Sequence, residues 1–193
     1  MRILSLAILG FILLGCVALF AEDLAIAEEA AAGCIIHGNG QISISYPSDT
    51  NLKKLEARLR SRYFSVSSAE KDLFTNPAYS IEDRIVSRLN SILLRVEQML
   101  AMYPNHMEIK IKIFSTHREL NEEYFSQFGT TGDYRSFYIH PLGTIYSSMQ
   151  DISDSVISHE MAHAVIDNYF RVMPPAKTAE LLATYVDSHL ERE

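Results

Sequence analysis

Apolar and polar residues alternate in two stretches of this chain and recur at helical spacing in several others. Gln41 to Tyr46 (QISISY) has the period-two pattern of a half-buried strand. Glu108 to Phe114 (EIKIKIF) alternates more cleanly still and predicts a strand with Ile109, Ile111 and Ile113 facing a core. Between them, Asn51 to Phe64 reads as a helix with Leu52, Leu55 and Leu59 on one face. The longest helical pattern is Ser80 to Met102, where Ile81, Ile85, Leu89, Ile92, Val96 and Leu100 recur at three- and four-residue steps. Ser80 with Asp83 supplies a capping-box-like start. Thr116 caps a short helix to Phe128, ended by the segment Gly129 to Gly132. Two short strands follow, Arg135 to His140 and Thr144 to Ser148. Asp151 or Ser153 then caps a helix to about Phe170, with Ile157, Met161, Ala164 and Val165 on its apolar side. Pro175 can start a last helix after the Met173–Pro175 break. Helices, strands and then two helices make an α+β order.

The N-terminus differs in kind. After Arg2, residues 3–20 are almost uninterrupted apolar, and Ala21 precedes Glu22 and Asp23. A basic start, an apolar centre and a small residue before acids read as a secretory signal over residues 1–21. Three fates fit: cleavage near Ala21, lipidation at Cys16 within the lipobox-like Leu13–Cys16, or retention as an anchor, since eighteen apolar residues just span a bilayer. Each delivers the domain beyond the membrane, to a periplasmic, secreted or envelope-anchored location, and the membrane is met only through this segment. Residues 22–106 then form an N-terminal region of helices and a strand without an assigned role, and 107–193 the domain that carries the chemistry.

Charge narrows the partners. Without Arg2, 16 basic residues face 24 acidic ones, a net charge of −8, and no basic stripe exists, so nucleic acid is excluded as a partner. Cleavage would leave Cys34 without an internal disulfide partner, and it reads as a small apolar side chain.

The candidate chemistry lies in His159-Glu-Met-Ala-His163. Histidines four apart share one helix face, with Cβ atoms about 5–6 Å apart, so both rings can turn a nitrogen to one zinc ion. Glu160 sits beside the ligating line, where its carboxylate can hold a water at the metal and take its proton. By composition alone this pattern arises in about 2% of such chains, so the pentapeptide needs support. Support comes from the helical periodicity around it, from the strand before it, and from Glu180. That carboxylate lies 17 positions after His163 on the next predicted helix, where a helix reversal returns it to the metal. Two His and one Glu leave the fourth zinc position open.

Segment 159–169, HEMAHAVIDNY, resembles the active-site helix of the thermolysin-like zinc metallopeptidases, which also carry Ala-Val after the second His and an Asp-Tyr pair nearby. Segment 175–186, PAKTAELLATYV, is similar to the segment of peptidase MA-like families whose glutamate is the third zinc ligand, matching Glu180. The resemblance covers about residues 107–190. It implies a small mixed sheet packed on the helix carrying the two histidines, a following helix carrying the third ligand, Zn2+ as cofactor, and hydrolysis of peptide or protein substrates with Glu160 as general base. It also implies that the edge strand beside the active-site helix pairs with extended substrate. The candidate is Gly143 to Ser148, giving Tyr146, Ser147 and Ser148 as substrate-binding residues.

The departures are specific. Thr184 stands where these enzymes place an Asp that orients a zinc histidine, and Asp167 and Asp187 are further supporting candidates. Thirteen residues follow Glu180, fewer than the C-terminal subdomain that usually supplies a Tyr or His to the oxyanion. Tyr185, His189 or Tyr146 are the in-chain substitutes. The alternative expectation is a catalytically weak zinc-binding relative acting as an envelope interaction module. His106, His117 and His140 read as surface or loop residues.

Overall fold

The computed structural model describes residues 34–38, 41–59 and 79–190. The expected signal segment, the lead-in to Gly33, the end of the helix expected to reach Phe64, and most of the polar stretch after it lie outside the described residues. The chain divides into Met1–Ile35 and Ile36–Glu193, and apart from Cys34 and Ile35 every described residue lies in the second unit.

A mixed sheet lies at its centre. β1 (Cys34–Gly38), β2 (Ile42–Pro47), β3 (Ile109–Phe114), β4 (Ser136–Ile139) and β5 (Thr144–Ser148) are ordered β1-β2-β3-β5-β4. β2, β3 and β5 run parallel, with Ile44 opposite Ile111 and Ile111 opposite Ile145. β4 is antiparallel to β5 and forms the edge, with Phe137 opposite Tyr146. The helices are α1 (Leu52–Arg58), α2 (Ile81–Leu100), α3 (His117–Phe128), α4 (Asp154–Tyr169) and α5 (Ala176–His189). The architecture is α+β.

Local chemistry sets the ends of these elements. Ser80 Oγ accepts from the Asp83 N–H at 3.1 Å, while the Ser80 N–H donates to Asp83 Oδ2 at 3.0 Å, which closes a capping box on α2. Asn51, Thr116 and Ser153 each accept from the third residue on to start α1, α3 and α4. Gly129 ends α3 at φ 66°, a conformation that glycine adopts without a Cβ clash.

The sheet is covered on both faces. On one face, Ile42, Ile44, Ile109, Ile111, Ile113 and Ile145 meet Ile85, Leu89, Ile92 and Val96 of α2 and Ile157, Met161, Ala164 and Val165 of α4. The region before residue 107 therefore supplies β2, α1 and α2 to the same core as the remainder. On the other face α3 brings Leu120 against Phe137 and Tyr146, with Phe114, Tyr124 and Ile139 alongside. This double cover buries every residue of β5. A buried ion pair joins the layers: Arg88 Nη2 of α2 meets Asp154 Oδ2 at the first residue of α4 at 3.1 Å, and Arg88 Nε donates to the Leu59 carbonyl at 2.8 Å.

Candidate metal centre

α4 presents His159 and His163 one turn apart, their Nε2 atoms 3.3 Å from each other and their rings inclined at 72°. Pro175 is the N-cap residue of α5, and this helix packs along α4 and returns Glu180 to the histidines. Its two oxygens face one imidazole each: Oε1 lies 3.4 Å from His159 Nε2 and Oε2 3.4 Å from His163 Nε2. One donor atom from each of these residues lies within 4.8 Å of the other two, so the three could hold a single cation. The rings are about three-quarters buried, with 23% and 24% of their side chains exposed, whereas Glu180 is 60% exposed. The set is thus anchored on the core side and open on the solvent side.

Glu160 lies beside them and is held from β4. The Ser136 hydroxyl donates to Glu160 Oε1 at 2.6 Å, and the side chain is almost wholly buried. Burial pushes the Glu160 carboxyl above the usual range, and the Glu180 charge adds to this, while the Ser136 bond and His159 oppose it. Burial also lowers His163, reinforced by His159 and opposed by Glu180. A lowered imidazole is neutral near pH 7 and offers a lone pair, as metal ligation requires.

These groups line an open cleft of about 490 Å³ that also takes in Ser136, Tyr138, His140, Asp167 and Met173, with the rings of Tyr124, Phe128, Tyr134 and Phe137 on its far side. Asp167, one turn after His163, is 2% exposed at its side chain. Its Oδ2 accepts from the Tyr138 hydroxyl at 3.2 Å and also meets His140 Nδ1. Burial raises the Tyr138 phenol above its ordinary value of 10.0, so it stays a donor at neutral pH.

Several expected residues stand elsewhere. β5 is an interior strand between β3 and β4, so Tyr146, Ser147 and Ser148 do not form an edge that substrate could reach. Tyr146 is buried on the α3 face, stacked on Phe137 at 4.8 Å. The Ser147 hydroxyl donates to the Arg135 carbonyl, and the Ser148 hydroxyl donates to Asp151. Among the described residues the edge strand beside α4 is β4. Tyr185 and His189 stack on each other at 4.3 Å and do not line the cleft. Their spacing explains this, because at 3.6 residues per turn they lie about 140° and 180° around α5 from Glu180. Asp187 accepts from the Ser155 hydroxyl, and Thr184 is exposed. Among the described residues, no hydrogen bond joins Asp167, Thr184 or Asp187 to either imidazole.

Ser136, Tyr138 and His140 are the cleft residues that pattern reasoning missed. The available signal was the alternation in Ser136 to Ile139, which sets Ser136 and Tyr138 on one face. No protein-family model matches the chain, and neither a curated protein nor a solved structure does. Among the described residues no helix is long and apolar enough to cross a membrane.

Proposed function

We propose that this chain is a zinc-dependent metallopeptidase of the thermolysin-like kind, exported by its N-terminal segment. The observation that carries this reading is the convergence of His159, His163 and Glu180 from two helices, with one donor atom of each within 4.8 Å of the others. A tetrahedral ion with bonds of ~2.0–2.1 Å has donor–donor edges of roughly 3.3–3.4 Å. The observed separations are 3.3, 3.4 and 3.4 Å. A carboxylate hydrogen-bonded to a charged imidazole would sit closer, at about 2.7–2.9 Å. The Glu180 contacts are longer than such bonds and use a different oxygen for each imidazole. One donor atom from each residue lies within 4.8 Å of the other two, so small side-chain shifts would bring all three onto a common centre.

When bound there, zinc supplies a Lewis acid that acidifies water and polarises a carbonyl. The remaining steps fall to the chain. Glu160, held by Ser136, takes a proton from the attacking water as its oxygen bonds to the peptide carbonyl carbon. The C–N bond then breaks, and Glu160 returns the proton to the leaving amine. Its raised affinity for a proton suits both transfers. The edge strand β4 pairs with extended substrate through main-chain hydrogen bonds. Tyr138 and His140, both in contact with Asp167, face the same cleft as polar groups for the substrate carbonyl.

A second reading, a zinc-binding interaction module with little catalysis, draws on the position of Tyr185 and His189 outside the cleft. Metal content by plasma mass spectrometry separates the possibilities, measured for the wild type and His163→Ala beside peptidase assays of the wild type and Glu160→Gln. The enzyme reading expects one zinc per wild-type chain, loss of zinc in His163→Ala, and an activity drop of about 10²–10⁴ in a zinc-replete Glu160→Gln protein. No zinc in the wild type removes both readings. Zinc with hydrolysis indifferent to Glu160→Gln leaves the module.

A further inference from the structure

The cleft has a second wall that hydrolysis at the metal centre does not use. Tyr124 and Phe128, one turn apart on α3, meet Tyr134 and Phe137, with ring centroids 3.8 Å apart for Tyr124–Tyr134 and 5.1 Å for Tyr124–Phe137. Phe137 is buried, but Phe128 and Tyr134 remain 47% and 36% exposed. The charged groups that line the cleft, Glu160, Asp167 and Glu180, all lie on the α4–α5 side. Aromatic rings grouped and left open at a cleft mark a recognition surface.

The wall is also held in place. Asn121 clamps the Tyr134 backbone at both ends of its amide, accepting from the Tyr134 N–H at 2.8 Å and donating to its carbonyl at 3.1 Å. His117 Nε2 pairs with Asp133 at 2.6 Å one residue earlier. The Tyr134 ring lies where a side chain on residue 132 would sit, so Gly132 is required for that approach.

The link to the metal centre is β4. Ser136 and Tyr138 reach α4 from one face of this strand, while Phe137 joins the aromatic wall on the other. A peptide added to the β4 edge alternates in the same way, so its side chains fall in turn on the metal side and on the aromatic side. We propose that the wall of Tyr124, Phe128, Tyr134 and Phe137 is the specificity site, and that it selects extended peptides with an aromatic or large apolar side chain next to the residue facing the metal ligands. This rests on the peptidase reading and adds the substrate class to it.

The test uses zinc-replete Glu160→Gln protein, which retains substrate, and fluorescein-labelled Ser-rich peptides in which a single Phe occupies each position in turn. Anisotropy gives the affinity of each peptide, with zinc content measured on the same samples. A gain of about tenfold is expected at one position and again two residues away, with little between. Phe128→Ala and Tyr134→Ala should each flatten that profile. Phe125→Ala should preserve it, because Phe125 is 52% exposed on the same helix but lies outside this cleft. A flat profile on a zinc-loaded protein overturns the specificity site and leaves the peptidase reading intact. An alternating profile without bound zinc does the reverse. Equal losses for Phe125→Ala and Phe128→Ala also overturn it.

Discussion

The buried pair between Arg88 and Asp154 fixes where α4 begins, five residues before His159, and removing it should be measurable at two levels. Both side chains are nearly sealed from water, 5% and 7% exposed. Asp154→Asn removes the carboxylate that the buried guanidinium meets and keeps its bond to the Leu59 carbonyl, which costs about 3 kcal/mol. Arg88→Met removes the guanidinium that Asp154 meets and also the donor to the Leu59 carbonyl. The first costs about 3–5 kcal/mol and the second about 1–3, offset by up to ~1 because Asp154 lies in the first turn of α4, where the helix dipole favours an anion. The net loss is then about 3 kcal/mol or more. At a urea m-value of ~2 kcal/mol/M, that moves the unfolding midpoint down by about 1.5 M or more. The double variant removes both members of the pair, so its loss should fall short of the summed single losses by at least about 2 kcal/mol. Urea titrations of the four proteins give that difference directly. Additivity within ~0.5 kcal/mol would refute the coupling, and with it the account of how α4 is anchored.

Three other outcomes are expected from the same geometry. With free zinc at 100 times its dissociation constant, wild type should gain ~2.7 kcal/mol, roughly 5–10 °C in Tm by calorimetry, and His163→Ala should gain none. His117 is raised above 6.5 by its bond to Asp151 and then by Asp133, so its charge favours the folded state. That contribution is fully present below pH ~6.5 and fades as the pH rises through the elevated value, so the Tm deficit of His117→Gln should be larger at about pH 6 than at about pH 9. A deficit constant with pH would count against the ion pairs. Ser80→Ala removes one half of the capping box and should lower stability by about 1 kcal/mol in urea titration.

The elements themselves were legible, because burial imprints its period on the chain. The alternation of Ile109, Ile111 and Ile113 and the spacing of Ile85, Leu89 and Ile92 are both visible without coordinates. Strand order was not. Thr144 to Ser148 reads as a half-polar edge, yet the strand lies inside the sheet because β4 folds back on it through the turn at His140–Gly143. Ser147 and Ser148 are buried there only because Arg135 and Asp151 satisfy their hydroxyls, and such partners leave no periodic trace. At the site, the i, i+4 histidines and Glu180 could be grouped from helix geometry and a plausible reversal. The contacts of Tyr138 and His140 with Asp167 could not, since they depend on β4 lying across α4. The exclusion of Tyr185 and His189 needed only angular bookkeeping around α5, which identifies the turn beyond Glu180 as the wrong place to look for an oxyanion donor.

Glu180 reaches the histidines from a different helix, across a segment with two prolines, and it is the most exposed of the three donors. An ion shared by all three would be a removable crosslink that closes a loop of 17 residues between His163 and Glu180. By the loop-entropy relation used for disulfides, such a closure is worth about 3 kcal/mol. Cys34 is the sole cysteine among the described residues, so there the metal would take the place of a sulfur bridge. A chelator would then loosen the last helix, and resistance of residues 170–190 to proteolysis would report how full the centre is.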